Sequence, residues 1–299
     1  MTVLERLVEL LGRHTGEDGL HRCAIAGVGL VRMSTPTLAM PTVYEPTLCL
    51  VAQGSKRVML GSTAYVYDAA KYLIASVDLP VMGAVIEASH AKPYLCLALD
   101  LDMAELSDLA LRHRVREPDR GTPSAGLALN TTTAELLDAA VRLVGLLDRP
   151  DDIEALAPLV KREILYRLLT GAGNAIVRQM ARADSRLSQI ARAIAWLRGH
   201  YTEPCRIDEV ADIAGMSRST FHAHFKAVTA MSPLEFRTQL RLQEARRLLV
   251  AEAMDAAGAG FRVGYESPSQ FSRDYARIFG LPPAKDACRL RGAVELVSR

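Results

Sequence analysis

Val3, Leu4, Leu7, Leu10 and Leu11 recur at helical spacing and predict a short amphipathic helix over residues 3–13. From about 23 to 126 the texture changes to short runs rich in β-branched and aromatic residues. These are TLCLVA (47–52), RVMLG (57–61), TAYVYDA (63–69), YLIASV (72–77) and YLCLALDL (94–101). Gly, Pro, Ser and Asp separate them, which predicts many short strands in an all-β barrel or sandwich rather than a βαβ fold. Tyr65 and Tyr67 share one face of their strand, because side chains alternate with period two. Helical spacing returns over 103–116, 131–148 and 154–170, where Leu156, Leu159, Val160, Ile164, Leu165 and Leu168 form a wide apolar stripe. Gly171 and Gly173 then mark a short hinge near 171–185, and from Arg186 onward the pattern is helical, in segments of roughly 8–18 residues.

At 299 residues, 49% apolar and 23% charged, the chain is long enough for two domains and is not disordered throughout. No run of eighteen uncharged apolar residues occurs, which excludes a membrane-spanning helix. Glu5, Arg6 and Glu9 among the first leucines are unlike a secretory signal, so the expectation is a soluble, cytoplasmic protein with no membrane partner. The five cysteines (Cys23, Cys49, Cys96, Cys205 and Cys288) are odd in number, scattered, and never spaced C-x-x-C. That argues against a disulfide framework and against a cysteine zinc site. The net charge of +2 conceals an asymmetry: residues 185–299 hold seventeen Arg and Lys against twelve Asp and Glu, while the remainder is net acidic. A basic C-terminal part beside a mildly acidic N-terminal part points to a polyanion met by the former.

Two related units lie in that basic part. In residues 207–233, Ala211 stands four before Gly215, a small residue and a glycine that allow two helices to approach and turn tightly. Ser217 is placed to cap the next helix, whose buried residues are predicted as Phe221, Phe225 and Val228. In residues 257–280, Gly260 stands four before Gly264, Ser267 with Pro268 makes an N-cap, and Phe271, Tyr275 and Ile278 form the inner stripe. The long helix 232–250 joins the two. At 100° per residue, the face opposite the first stripe carries Ser219, Ala223 and Lys226, flanked by Arg218 and His222. The face opposite the second carries Ser269, Arg273 and Arg277, beside Gln270 and Ser272. Short residues ringed by longer donors suit insertion into a major groove. Arg273 is suited to guanine, Ala223 to a thymine methyl, and Lys226 or Arg277 to phosphate.

Through AGMSRSTFHAHFKAVT (214–229), SPLEFRTQLRLQEARRLL (232–249) and VGYESPSQFSRDYARIFGLPP (263–283), residues 186–292 resemble the DNA-binding domain of the AraC/XylS family of bacterial transcription regulators. The resemblance implies seven helices whose two helix-turn-helix units enter successive major grooves, about 34 Å apart. It also implies promoter DNA and RNA polymerase as partners, with activation the usual outcome. Gly258 and Gly260 depart from the helix-favouring residues usual there, and at about 0.5–1 kcal/mol each they predict a softer second unit. Residues 44–83 and 157–171 resemble the cupin-like N-terminal domain of such regulators. That implies an α+β chain: an all-β cupin-like barrel with flanking helices over 1–175, for effector sensing and homodimer formation, then the all-α domain.

Cupin enzymes cluster two or three histidines and a carboxylate on neighbouring strands. This barrel segment offers His90 alone, with His21 and His113 outside the predicted strands, so neither a metal nor another cofactor nor an enzymatic activity is expected. Tyr44, Gln53, Lys56, Tyr65, Tyr67, His90 and Tyr94 are candidates to line a small-molecule pocket, tyrosines joining an apolar face to a hydrogen-bonding tip. Cys49 and Cys96 read as inert core thiols. Two alternatives stay open from sequence: a cupin-type enzyme carrying a DNA-binding domain, and a constitutive DNA-binding dimer without effector.

Overall fold

The computed structural model describes residues 1–113, 125–171 and 175–297, excepting the side chains of 292–297. Two compact units form: Met1–Ala191 with Ala223–Ala230, and Arg192–His222 with Met231–Arg299.

In the first unit, α1 (Val3–Arg13) opens on a reciprocal cap. The Glu5 N–H donates to the Thr2 hydroxyl at 3.1 Å, and the Thr2 N–H donates to the Glu5 carboxylate at 2.7 Å. Its inner stripe buries Leu7, Leu10 and Leu11. The strands are β1 (Gly19–Arg22), β2 (Val28–Met33), β3 (Met40–Tyr44), β4 (Thr47–Gln53), β5 (Ser55–Leu60), β6 (Thr63–Asp68), β7 (Lys71–Ala75), β8 (Leu79–Glu87), β9 (Tyr94–Asp100) and, after α2 (Met103–Arg112), β10 (Leu127–Thr131). They form a six-stranded sheet in the order β1-β2-β9-β4-β7-β10 and a four-stranded sheet in the order β3-β8-β5-β6, all pairings antiparallel.

All five runs read as strands are strands, but the β region extends from Gly19 to Thr131 rather than 23 to 126. Residues 47–52 are all buried, because β4 is covered on both faces and α1 packs on β4 and β9. That is why this antiparallel strand reads as a continuous apolar run instead of alternating. The register pairs Cys49 with Ala98 and Val51 with Cys96, so these four share one face, and Leu48, Leu50, Leu97 and Leu99 share the other.

The helix expected from 131 starts later, as α3 (Ala134–Gly145), because β10 takes the residues before it and the Thr133 hydroxyl accepts from Leu136 N–H. α2 ends at Arg112, and the expected continuation over 114–116 lies outside the described residues. α4 (Ile153–Thr170) buries Ala157, Ile164, Leu165, Leu168 and Leu169, whereas Leu156 and Leu159 are 40% and 62% exposed. At 100° per residue the direction set by Ala157, Ile164 and Leu168 leaves Leu159 on the far side, so the predicted stripe was too wide. The segment expected to be a bare hinge contains a helix, α5 (Ala175–Met180), burying Ile176, Val177 and Met180. Gly173 lies outside the described residues.

The remaining described helices are α6 (Arg186–Gly199), α7 (Ile207–Ala214), α8 (Arg218–Thr229), α9 (Pro233–Ala251), α10 (Ala256–Arg262), α11 (Pro268–Phe279) and α12 (Pro283–Val297). α9 starts at Ser232, which forms a second reciprocal cap with Glu235. One core joins Leu242, Leu248 and Leu249 of α9 to Ala259, Phe271, Tyr275 and Ala287. Tyr265, Phe271, Tyr275 and Phe279 stack edge to face, at successive centroid separations of 5.4, 5.6 and 4.6 Å.

Beneath this ladder lies a buried ion pair. Arg246 donates to the two Asp286 oxygens at 2.7 and 3.1 Å, the Tyr275 hydroxyl donates to the same carboxylate at 2.9 Å, and Arg289 at 2.9 Å. The guanidinium of Arg246 also lies over the Phe279 ring, 4.5 Å from its centroid. The chain is thus α+β: a two-sheet β unit with flanking helices, and an all-helical part. No helix of the described residues is long and apolar enough to cross a membrane.

Gly260 of α10 has a packing reason. Gly260 is buried, and a Cβ there would stand 3.0 Å from Cγ of Phe271, so an alanine would push α10 away from α11. The softness expected from helix propensity is therefore set against a close approach that the propensity argument did not consider. The Asp255 carboxylate caps the same helix by accepting from the Gly258 N–H at 2.9 Å. Asp255→Ala is expected to cost about 1 kcal/mol, read as a lowered urea midpoint with an unchanged m-value.

Candidate nucleic-acid interface

In the first helix pair, Ala211 is buried and Gly215 adopts φ +65°, ending α7 in the left-handed conformation that glycine takes without strain. The Gly215 N–H donates to Asp212 O at 2.9 Å and the Met216 N–H to Ala211 O at 3.0 Å, so the turn satisfies the last carbonyls of α7. The Ser217 hydroxyl accepts from Thr220 N–H at 3.4 Å at the start of α8. Phe221, Phe225 and Val228 are fully buried; Arg218, Ser219, Ala223 and Lys226 are exposed, with His222 half-buried on the flank.

α11 repeats the plan. The Ser267 hydroxyl accepts from Gln270 N–H at 3.4 Å, and Pro268 occupies the first helical position. Phe271 and Tyr275 are fully buried and Ile278 partly so; Ser269, Gln270, Arg273 and Arg277 are exposed, and Ser272 is half-buried. All ten candidate contact residues are therefore on outward faces or their flanks.

The cations on these faces are held differently. Arg218 lies 3.5 Å from Asp208, and Arg277 lies 2.9 Å from Asp274. Asp274 also accepts from the Tyr265 hydroxyl at 3.4 Å, and burial together with the Asp274 charge pushes that phenol up to about 12. Among the described residues, Lys226 and Arg273 have no ion pair. These two long cations are the ones whose charge is not already engaged by the protein.

A family model described as the AraC-type transcriptional regulator N-terminus matches residues 24–176, and a helix-turn-helix domain model matches residues 210–287. The chain belongs to the AraC-type transcriptional regulators. It is 27% identical over 150 residues to the HTH-type transcriptional activator RhaS of Escherichia coli O1:K1, covering 50% of this chain and 53% of that protein. The chain thus spans about half the length of the curated relatives it matches. Among solved structures, it is similar to ToxT from Vibrio cholerae O395 bound to (E)-4-(8-methylnaphthalen-1-yl)but-3-enoic acid. The TM-score is 0.55 and the identity 10%, over 87% of this chain and 97% of that one. A second ToxT structure, at 1.65 Å, matches with the same TM-score and 11% identity. At these identities the likeness shows the shared two-domain α+β fold.

As to the interior candidates of this AraC-type regulator, the register places Lys56 opposite Tyr67 and Val58 opposite Tyr65, and Tyr44 opposite Leu79. Val58, Leu79 and Tyr67 are buried, so Tyr44, Lys56, Tyr65 and Tyr67 all project from the inner face of the four-stranded sheet. Tyr94 and Cys96 share their face of β9 with Ala98 and Cys49. Burial pushes the Tyr44, Tyr67 and Tyr94 phenols above their ordinary value, and the Cys49 and Cys96 sulfurs add to the shift of Tyr67 on the other sheet and of Tyr94 on their own. The two sheets therefore bring Tyr44, Lys56, Tyr67 and Tyr94 together.

Gln53 and His90 stand apart from this group. Gln53 donates to Pro93 O at 2.8 Å, and His90 is exposed in the loop before β9. His21 contacts Glu17 O, and the His113 ring meets Tyr166 edge-on. Among the described residues no group of three or more His, Cys, Asp and Glu is placed to hold a metal ion. Cys49 and Cys96 are buried in the core, where core thiols were expected, and they also neighbour the tyrosine cluster. Their odd spacing on paired strands was the available signal, but it needed the register to become legible.

Proposed function

We propose that this AraC-type regulator controls transcription by reading promoter DNA with the outward faces of α8 and α11, in response to a small organic effector in its β unit. The observation that carries the DNA reading is the repeated plan of α8 and α11: a fully buried aromatic stripe on one side, and short residues around one unpaired cation on the other. Arg218, Ser219, His222, Ala223 and Lys226 serve the first major-groove segment of a half-site, and Ser269, Gln270, Ser272, Arg273 and Arg277 the second. On this reading residues 1–175 sense and dimerise, residues 186–292 bind DNA, two copies bridge repeated half-sites, and contact with RNA polymerase makes the regulator an activator, as RhaS is named. The protein would do this in the cytoplasm, without enzymatic activity. The interior cluster of Tyr44, Lys56, Tyr67 and Tyr94 supports the effector reading, which requires an effector that binds one DNA-competence state better than the other.

The test is fluorescence anisotropy of the full chain on labelled DNA from upstream of its own and neighbouring genes, with random DNA as competitor, across a salt series. Tight binding to one fragment, well above random, is expected. Weak binding of every fragment alike, steeply dependent on salt, would leave only a basic surface.

A further inference from the structure

We propose that Arg241 fixes the separation of the two helix-turn-helix units and thereby restricts the operator to one spacing between its two major-groove segments. This rests on the DNA reading above and adds a positioning residue that sets specificity without touching a base.

The loop between α6 and α7 carries the link. Its residues lead directly into the first helix-turn-helix, yet they are bound by the helix and the turn that belong to the second. The Tyr201 carbonyl accepts from Arg237 Nε at 3.0 Å and from Arg241 Nε at 2.5 Å, both on α9. Arg241 Nη2 also donates to the Thr202 carbonyl at 3.0 Å, and Arg237 Nη2 donates to that of Glu203. The Tyr201 ring packs against the core that α9 shares with α11 and α12. The Arg241 guanidinium lies over the Tyr265 ring, 5.8 Å from its centroid, in the turn before α11. Tyr265 in turn meets Phe271 edge-on and donates to Asp274, both on α11. Gly264 permits the approach: a Cβ there would stand 2.5 Å from the Thr202 oxygen and 2.8 Å from Arg241 Nη2.

Between the loop and α11 lies a polar cleft of 270 Å³, lined by Thr202, Arg237, Arg241, Glu266, Gln270 and Asp274. At that point the separation is set by directional bonds across an open space rather than by close packing. A guanidinium suits the task, because its planar fork fixes two acceptors at once, whereas an ammonium is a point charge on a flexible stem. Among the described residues neither Arg237 nor Arg241 has an ion pair, so both forks are given to these carbonyls. The consequence for DNA is geometric. One inserted base pair turns the second groove segment by about 34° and moves it by about 3.4 Å relative to the first. A linked pair of units cannot follow that change; an unlinked pair can.

The operator found by anisotropy is remade with one base pair deleted or inserted between its two groove segments. The wild type is expected to lose about tenfold or more in Kd on either, the scale of a lost base contact. Arg241→Ala, its fold checked by circular dichroism, is expected to bind the native operator more weakly than the wild type but the altered spacings several-fold more tightly. Arg241→Lys falls between. Arg237→Ala, which keeps the Arg241 fork, shows the same crossover at smaller amplitude, and these two variants carry the test if Arg241→Ala does not fold. A merely structural loss lowers affinity on every spacing alike, so the absence of any gain on the altered spacings would overturn the proposal. A measurement without DNA separates the two readings. Spin labels are placed at Asp212→Cys on α7 and at the exposed native Cys288 on α12, with Cys23 and Cys205 changed to serine and the buried Cys49 and Cys96 kept. The distance distribution is expected to be narrow with Arg241 and broad in Arg241→Ala. Broadening in a protein that does not distinguish operator from random DNA leaves the link and removes the DNA reading. A distribution that stays narrow in Arg241→Ala, with specific operator binding intact, removes the link and leaves the DNA reading.

Discussion

Replacing Asp286 with alanine is expected to lower the unfolding free energy of the C-terminal helical part by about 3–5 kcal/mol, the usual cost of breaking a buried ion pair from one side. The reason is what remains behind. Arg246 keeps a guanidinium that is only 6% exposed, with one of its nitrogens already lacking a partner, and Tyr275 loses the acceptor for its hydroxyl. Burial still holds the Tyr275 phenol above its ordinary pKa once the Asp286 charge is gone, so it remains a protonated donor with nothing to donate to. Urea unfolding followed by circular dichroism measures the loss. The paired change Arg246→Met with Asp286→Leu removes both charges together and is expected to recover most of it, because hydrophobic replacements of a buried pair are often neutral. A single variant as stable as the wild type would show that Arg246 finds solvent or another acceptor. Since Tyr275 belongs to the inner stripe of α11, the same variant should also weaken operator contacts in the second major-groove segment more than in the first.

The internal repeat makes this position informative. Each helix-turn-helix is followed by a helix with proline at its first position, Pro233 of α9 and Pro283 of α12. Three residues on stand Phe236 and Asp286, both fully buried. An aromatic that simply fills the core after the first unit is replaced after the second by a carboxylate that binds groups on α9, α11 and α12. The second unit is therefore fixed by directional polar bonds where the first is fixed by packing.

Sequence periodicity exposed what depends on local spacing and missed what depends on partners. The stripes Phe221–Phe225–Val228 and Phe271–Tyr275, the caps at Ser217 and Ser267, and the turn at Gly215 are all contained within a few residues of each other, and each was legible. Asp286 reads in the sequence as an ordinary exposed acid near a helix start, because its partner Arg246 lies forty positions away. Gly260 reads as a helix defect until Phe271 is seen against it. Strands β1, β2 and β10 carry too few β-branched and aromatic residues to stand out, yet β1 and β10 are the two edges of the six-stranded sheet and β2 joins β1 to β9. In the barrel, tyrosine chemistry was enough to select Tyr44, Tyr67 and Tyr94. Only register could exclude His90 and Gln53 from the cluster and bring Cys49 and Cys96 beside it.

Replacing Arg273 with alanine is expected to cost about 1–3 kcal/mol of specific DNA binding, roughly 5–150-fold in Kd, and to relax discrimination at one base pair. Arg273 is chosen over Arg277 because its guanidinium has no ion pair among the described residues, whereas Arg277 is held 2.9 Å from Asp274 and must break that contact to reach a base. A bidentate contact to guanine is made only on the operator, so the loss should fall on specific binding and leave random DNA nearly unchanged. Lys226 supplies the contrast. A phosphate contact is shared by all sequences, so Lys226→Ala should weaken operator and random DNA alike and reduce the slope of log K against log salt by about one. Anisotropy titrations of both variants on operator, single-base operator variants and random duplex, each across a salt series, separate the two roles. Equal losses on operator and random DNA for Arg273→Ala would make it a phosphate anchor, and base reading by the second helix would then have to come from Ser269, Gln270 and Ser272. Their shorter reach would predict a second major-groove segment read chiefly by shape.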